Sequence, residues 1–381
     1  MKRIGIFCDG TWNTPDAPFT TNVHLLHGAV PETGADGVRQ LTRYIPGVGT
    51  GYGMEGLEAR WDKIRGGVFG VGVTRNITAA YRFLAENYEH GDDIHIFGFS
   101  RGAFTARSLA GLVRASGLPE AADVERIPEA IKRYRNMDKN TAPNTLESHQ
   151  FRADFSPKLA TSKTEQAWRV QSGLPKPALL SIKYLGVWDT VGALGVPGHY
   201  RILARLFNGN HGFHDLVLSR SVEAARHAVS IDEKRRTFPP TLWENMGRLN
   251  ETDDVNRRLY QQEWFAGDHG SVGGGGDILG LSSIALAWIA EGSSVQGMDF
   301  DAGLMAGFAK AEEPVKTPLM NQSEGPGFIG RLLRKRVLHR EGEHGPKFIW
   351  DVAAPAQKRW DEDPTYRSRP LLHLSDELDG A

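Results

Sequence analysis

The chain has one cysteine, Cys8, in 381 residues. That excludes an internal disulfide and a cysteine-built metal centre. Neither sign of charge is in excess, with 45 Lys and Arg against 46 Asp and Glu. No global field therefore draws the chain to nucleic acid, and no nucleic-acid partner is expected. No apolar run approaches the roughly 18 residues that a membrane-spanning helix needs, and the opening MKRIGIFCDGTWN lacks the apolar core and cleavage site of a secretory signal. The expected location is cytoplasmic by default. The length suits either one large α/β domain with insertions or two domains.

The most informative stretch runs from Asp92 to Leu118, DDIHIFGFSRGAFTARSLAGLVRASGL. Ile94, Ile96 and Phe97 form a short apolar run after the turn residues Gly91, Asp92 and Asp93, as expected of a strand covered on both faces. Gly98-Phe99-Ser100-Arg101-Gly102 then matches G-x-S-x-G, the pattern of a nucleophile elbow, in which a serine sits on a strained turn between strand and helix. An alanine- and leucine-rich helix follows, with Gly117 as its stop.

Ile4, Ile6 and Phe7 predict a first strand ending in Asp9-Gly10-Thr11-Trp12-Asn13. An aspartyl-phosphate phosphatase would need its nucleophile where Phe7 stands, so that chemistry is disfavoured. The amide of Gly10 or Thr11 could complete an oxyanion hole with the amide of Arg101, and a tight turn with Asp9 capping backbone donors is the competing reading. Gly51, Gly53 and Gly56 fit G-x-G-x-x-G formally, but the acidic residue expected about twenty positions later is missing, and no P-loop occurs. No cofactor or metal is called for. A helix from Thr74 carrying Ile77, Tyr81, Leu84 and Tyr88 leads to the Ile94 strand, a crossover that builds a doubly wound sheet.

Between Pro119 and Pro177 the chain turns polar and weakly helical, which reads as an insertion, either a lid or a peripheral helical excursion. Ser181–Trp188 resumes the sheet pattern and stops at Asp189, the place for the acid of a Ser-Asp-His order. Arg226–Asp232 reads as a further strand, opened by a structural His227. His24, His199, His211 and His214 lie in loop-like stretches with no identifiable partner. Glu263–Phe265 runs into a glycine-flanked loop presenting His269, the expected base, while the Gly274–Gly276 run could instead form an anion nest. Leu281–Ala290 reads as a core helix. Gly327–Arg340 is a basic amphipathic segment with Arg331, Arg334, Lys335, Arg336 and Arg340, suited either to peripheral contact with an anionic membrane or to packing on its own domain.

Together FCDGTWN, the loop from Gly47, GDDIHIFGFSRGAFTARSLAGL, YLGVWDTVGALG, HAVSIDE and WFAGDHGSVGGGG resemble, in order, the α/β-hydrolase domain of the type VI secretion lipase effectors of family one and its uncharacterised bacterial relatives. The resemblance implies an α/β-hydrolase-like doubly wound, mostly parallel sheet with helical insertions. It also implies a triad carried by Ser100, Asp189 and His269, phospholipid acyl esters as substrates, export by a specialised secretion system, and an immunity or secretion partner if the chain is an effector. The chain shows no large membrane-anchoring insertion of the kind those effectors carry. The expected organisation is a core over residues 1–295, the insertion over 119–177, and an extension over 296–381 packed on the core. The expected function is a serine hydrolase acting on carboxylic esters, and the alternative is a non-catalytic hydrolase-fold module that binds a protein partner or a membrane surface.

Overall fold

Short apolar runs with alternating sides make the strands of this protein, seen in a computed structural model that describes residues 1–10, 18–48, 68–191, 217–235, 238–251, 258–321, 340 and 345–380. In β1 (Arg3–Cys8), Ile4, Ile6 and Cys8 enter one core and Phe7 the opposite one. In β3 (Asp93–Phe99), Ile94 and Ile96 share the first side while Phe97 and Phe99 share the second. Phe7 stacks on Phe97 with ring centroids 4.7 Å apart, which fixes the register of the two strands. Both faces of the sheet must therefore be covered, and both are.

The sheet has six strands in the order β2-β1-β3-β4-β5-β6, where β2 is Gln40–Ile45, β4 Ile182–Trp188, β5 Val222–Ser230 and β6 Tyr260–Phe265. Every neighbouring pair is parallel. This is the α/β, doubly wound, hydrolase-like arrangement with helical insertions that the sequence predicts. Chain order reverses between β1 and β3, so the crevice at their C-terminal ends is the topological switch point, where open parallel sheets bind ligands. Asp9 and Ser100 follow those two ends.

Helices α2 (Val68–Asn87) and α3 (Arg101–Ser116) cover one face through Val73, Ile77, Tyr81 and Leu84 of α2 and Ala106, Leu109 and Leu112 of α3. Each such Val, Ile or Leu side chain stabilises the fold by about 1.5–3 kcal/mol when fully buried. The second face lies under α1 (Asn22–Gly28) and a later helix at Gly280–Val295.

The 119–177 segment contains a 3-10 helix (Ala121–Arg126) and three short α-helices, α4 (Ile127–Arg135), α5 (Leu146–Phe155) and α6 (Lys163–Gln171), the last two capped by Thr145 and Ser162. It is tied to the C-terminal end of α3: Arg152 donates to Ala115 O at 3.0 Å, Ser156 Oγ to Leu118 O at 2.6 Å, and Arg114 to Thr161 Oγ1 at 2.6 Å. Sixteen residues of helix, about 24 Å at 1.5 Å each, separate those contacts from Ser100. These hydrogen bonds thus fasten the segment at the end of α3 away from Ser100.

Residues after 295 return to the core. Val352 bridges Trp264 beside β6, Ala353 N–H donates to Trp264 O at 2.9 Å, and Leu319 O accepts the amide of Asp268 at 2.9 Å. Among the described residues no helix is long and apolar enough to cross a membrane.

Candidate active site

At the end of β3 the chain turns directly into α3, and close approach dictates the glycines on either side of Ser100. A Cβ on Gly98 would stand 2.5 Å from Gly102 O, and one on Gly102 would stand 2.1 Å from Cys8 O. Ser100 itself has φ 59° and ψ −120°, a conformation L-residues avoid at a cost of about 1–3 kcal/mol. Its amide donates to Trp188 O at 3.0 Å, locking the turn to the end of β4. The hydroxyl is thereby held at the N-terminus of α3, where Arg101 is the first helical residue.

Asp189 follows β4, also left-handed at φ 33°, and is completely buried. His269 lies beyond β6. The sequence suggests a mobile loop there, but His269 opens a short helix, α7 (His269–Gly273), whose cap Asp268 accepts from Ser271 N at 2.9 Å. Glu233 Oε2 accepts the His269 amide at 3.2 Å. Phe99 and Phe238 lie against the imidazole, with centroids 4.6 and 4.8 Å away. The glycines beyond it are close-packed instead of forming an open nest: a Cβ on Gly273 would enter the Phe99 ring, and one on Gly276 would meet Asn321.

These elements bring Ser100, His269 and Asp189 into one hydrogen-bonded line. His269 Nδ1 lies 2.6 Å from Asp189 Oδ2, and its Nε2 lies 2.8 Å from Ser100 Oγ. An ionised carboxylate only accepts, so Nδ1 carries the proton and Nε2 is left to accept from the hydroxyl. Asp189 Oδ1 also accepts the Ser230 amide at 2.9 Å and Arg340 Nη1 at 2.6 Å, while Arg340 Nη2 reaches Oδ2 at 3.1 Å. Burial alone would raise this carboxyl, but Arg340 and His269 overcome it and hold the group far below the usual carboxylate range. All four acceptor positions of Asp189 are occupied.

His227, expected to open its strand, lies inside β5. Its Nε2 accepts the Thr190 amide at 3.1 Å and its Nδ1 pairs with Gln262 Oε1 at 2.9 Å. Burial pushes it down to about 3, so it stays neutral.

Asp9 is buried and accepts from Tyr44 Oη at 2.6 Å, Thr21 Oγ1 at 2.7 Å and Gly10 N at 2.6 Å. Burial pushes its carboxyl up against the pull of these donors. The Gly10 amide is therefore engaged in the capping role that the sequence left as the competing reading. Thr11 lies outside the described residues, as do most of the Gly47–Gly72 loop, His199, His211, His214 and the basic segment before Arg340.

Sequence reasoning missed three contributors. Glu233 could have been found as an acid at the end of a strand, in the quoted HAVSIDE block. The Tyr44–Asp9 contact needed the unpredicted β2, and Arg340 carried no signal at 151 residues from Asp189. A separate cavity of about 1120 Å³ lies between α3, the insertion and β5, lined by Arg107, Arg114, Tyr134 and Arg248 among others, and none of Ser100, Asp189 and His269 lines it.

The fold is α/β-hydrolase-like. The chain belongs to the family described as T6SS phospholipase effector Tle1-like, catalytic domain, which matches residues 2–292. It is 30% identical over 246 residues to an uncharacterized protein of Saccharomyces cerevisiae, YEL023C, covering 62% of this chain and 32% of that one, so it spans about a third of that relative's length. Among solved structures it is similar to an uncharacterized protein from Pseudomonas aeruginosa, with TM-score 0.39 and 17% identity over 78% of this chain and 46% of that one. It is also similar to the Tle1 effector bound to the VgrG spike of the type VI secretion system, with TM-score 0.37 and 20% identity over 73% of this chain and 52% of that one. Both structural likenesses are too slight to argue from.

Proposed function

We propose that this chain is a serine hydrolase that cleaves carboxylic esters of lipids, phospholipids among them. The observation that carries the proposal is the unbroken line Ser100 Oγ, His269 Nε2 and Nδ1, Asp189 Oδ2, at 2.8 and 2.6 Å, starting on a strained turn at a helix N-terminus. In this mechanism Ser100 Oγ attacks the ester carbonyl as His269 Nε2 takes its proton. Asp189 holds the Nδ1–H tautomer and stabilises the imidazolium. The Arg101 amide, at the positive end of α3, stabilises the developing oxyanion, and the second donor is sought among the sequence's two candidates, Gly10 and Thr11. With the Gly10 amide engaged by Asp9, Thr11 is the better candidate. His269 then protonates the leaving alcohol, and a water, deprotonated by the same imidazole, releases the acyl group. Family membership supports lipid esters as substrates, and delivery by a type VI secretion system with a spike or immunity partner is proposed on the same ground.

The test is hydrolysis of short- and long-chain p-nitrophenyl esters and of phospholipid vesicles by wild type and Ser100→Ala. Loss of the nucleophile should lower kcat by on the order of 10⁶, with the folded structure retained by circular dichroism. Activity that survives in Ser100→Ala would sink the mechanism. A folded wild type inert on all three substrates would return the chain to the binding-module alternative.

A further inference from the structure

We infer that Arg340 is a positioning residue of this site: its guanidinium fixes the Asp189 carboxylate against His269, so that a residue beyond the family's catalytic domain completes the catalytic machinery. The inference rests on the hydrolase reading of Ser100, His269 and Asp189. The family match ends at residue 292, so Arg340 reaches the site from the C-terminal extension.

The geometry carries the argument. Arg340 is 1% exposed, and its planar fork meets both carboxylate oxygens of Asp189 at 2.6 and 3.1 Å. The same guanidinium is anchored on the far side by Ser230 O at 2.7 Å, Ser230 Oγ at 2.6 Å and Phe238 O at 2.7 Å. Five contacts from two nitrogens leave the fork one orientation. The Ser230 amide on Oδ1 acts from the same side, so the carboxylate cannot rotate away from His269 Nδ1. Phe238, whose carbonyl Arg340 holds, also packs its ring on the imidazole, and one arginine therefore sets both the acid behind His269 and a wall beside it.

Two consequences separate this role from mere packing. Reacting groups displaced by about 1 Å lose on the order of 10² in rate, so removing the fork should lower kcat far more than it changes KM. Arg340 is also a cation close behind the acid, opposing positive charge on the imidazole. Among the described residues, charged groups beside His269 include Glu233, paired with Arg235, and Asp268, while the neighbouring His227 is neutral. Removing Arg340 leaves the acidic partners unopposed, so the acidic limb of the kcat/KM profile should move to higher pH.

The experiment compares Arg340→Met, Arg340→Lys and Arg340→Ala in the full chain, with p-nitrophenyl ester as substrate and Ser100→Ala as the control. We expect Arg340→Met to lose about 10²-fold in kcat with KM little changed and its acidic limb displaced upward. Arg340→Lys, which keeps the charge and loses the fork, should lose rate with its limb unmoved. Guanidinium or methylguanidinium at millimolar concentration should restore activity to Arg340→Ala but not to Ser100→Ala. Folded variants with unchanged kcat and pH profile would overturn the role. If Arg340→Met does not fold, the Lys variant and the rescue decide: an unchanged rate in Lys and no rescue in Ala overturn it. Failure of the hydrolase reading is a different result, since Ser100→Ala would then match wild type.

Discussion

Glu165 and Asp189 are both buried carboxylates pinned by arginine, and their hydrogen bonds lead to different places. Glu165, in the insertion, accepts from Arg152 Nε at 2.7 Å, from Arg169 Nη2 and from the Thr161 amide at 3.0 Å. Asp189 accepts from Arg340, the Ser230 amide and His269. Both side chains are fully buried, and in both the arginines overcome a burial effect that would raise the carboxyl. The difference is where the third partner leads. The donors on Glu165 end in the fold, whereas the imidazole on Asp189 passes a hydrogen bond on to a hydroxyl on a strained turn at the switch point. An arginine-clamped buried acid is thus no sign of chemistry by itself, because the same device ties the insertion to the end of α3.

Breaking each clamp separates the two roles. The larger effect belongs to the site: Asp189→Asn preserves shape but offers the imidazole an amide, so the wrong tautomer is favoured. By analogy with serine hydrolases of this design, kcat should fall by about 10⁴. Steady-state ester hydrolysis, with circular dichroism as the check on folding, measures it. A loss below tenfold would mean that Asp189 is as structural as Glu165.

In the insertion, Glu165→Gln leaves two buried guanidinium groups without their counter-charge, which typically costs about 3–5 kcal/mol of stability. The kcat of the folded fraction should stay within about twofold of wild type, since the lesion is a helix length from Ser100. Denaturant unfolding and activity at low temperature check the two halves. The pH dependence has a definite sign. The Glu165 carboxyl is held below its ordinary value in the folded state, so its stabilisation is present above about pH 4.3 and is lost as pH falls through the folded value. Wild type should therefore lose stability faster than Glu165→Gln on acidification below that point. Parallel curves would show that the clamp contributes no charge energy.

Local signals reached much of this architecture and stopped where long-range contacts took over. The alternating apolar runs at Ile4, Ile94 and Leu185 and the glycine spacing about Ser100 express short-range geometry, so β1, β3, β4 and the turn were legible. Asp189 and His269 were legible because each follows a strand end in the order a hydrolase uses. β2 was not, because QLTRYI alternates weakly and its place is set by pairing with β1 rather than by its own pattern. The insertion was recognised by composition, but its position was decided by Arg152 and Ser156 gripping the last turn of α3. Arg340 was the least legible. In sequence it is one cation in a basic run, and only the fold brings it to Asp189.

Covalent labelling shows whether Ser100 is a nucleophile. Wild-type protein would be treated with a fluorophosphonate, digested, and the modified peptide located by mass spectrometry. A nucleophilic Ser100 gives a single adduct on that residue, absent from Ser100→Ala and formed more slowly in Asp189→Asn. Folded wild-type protein that carries no adduct on Ser100, or carries it on another residue, would contradict the account.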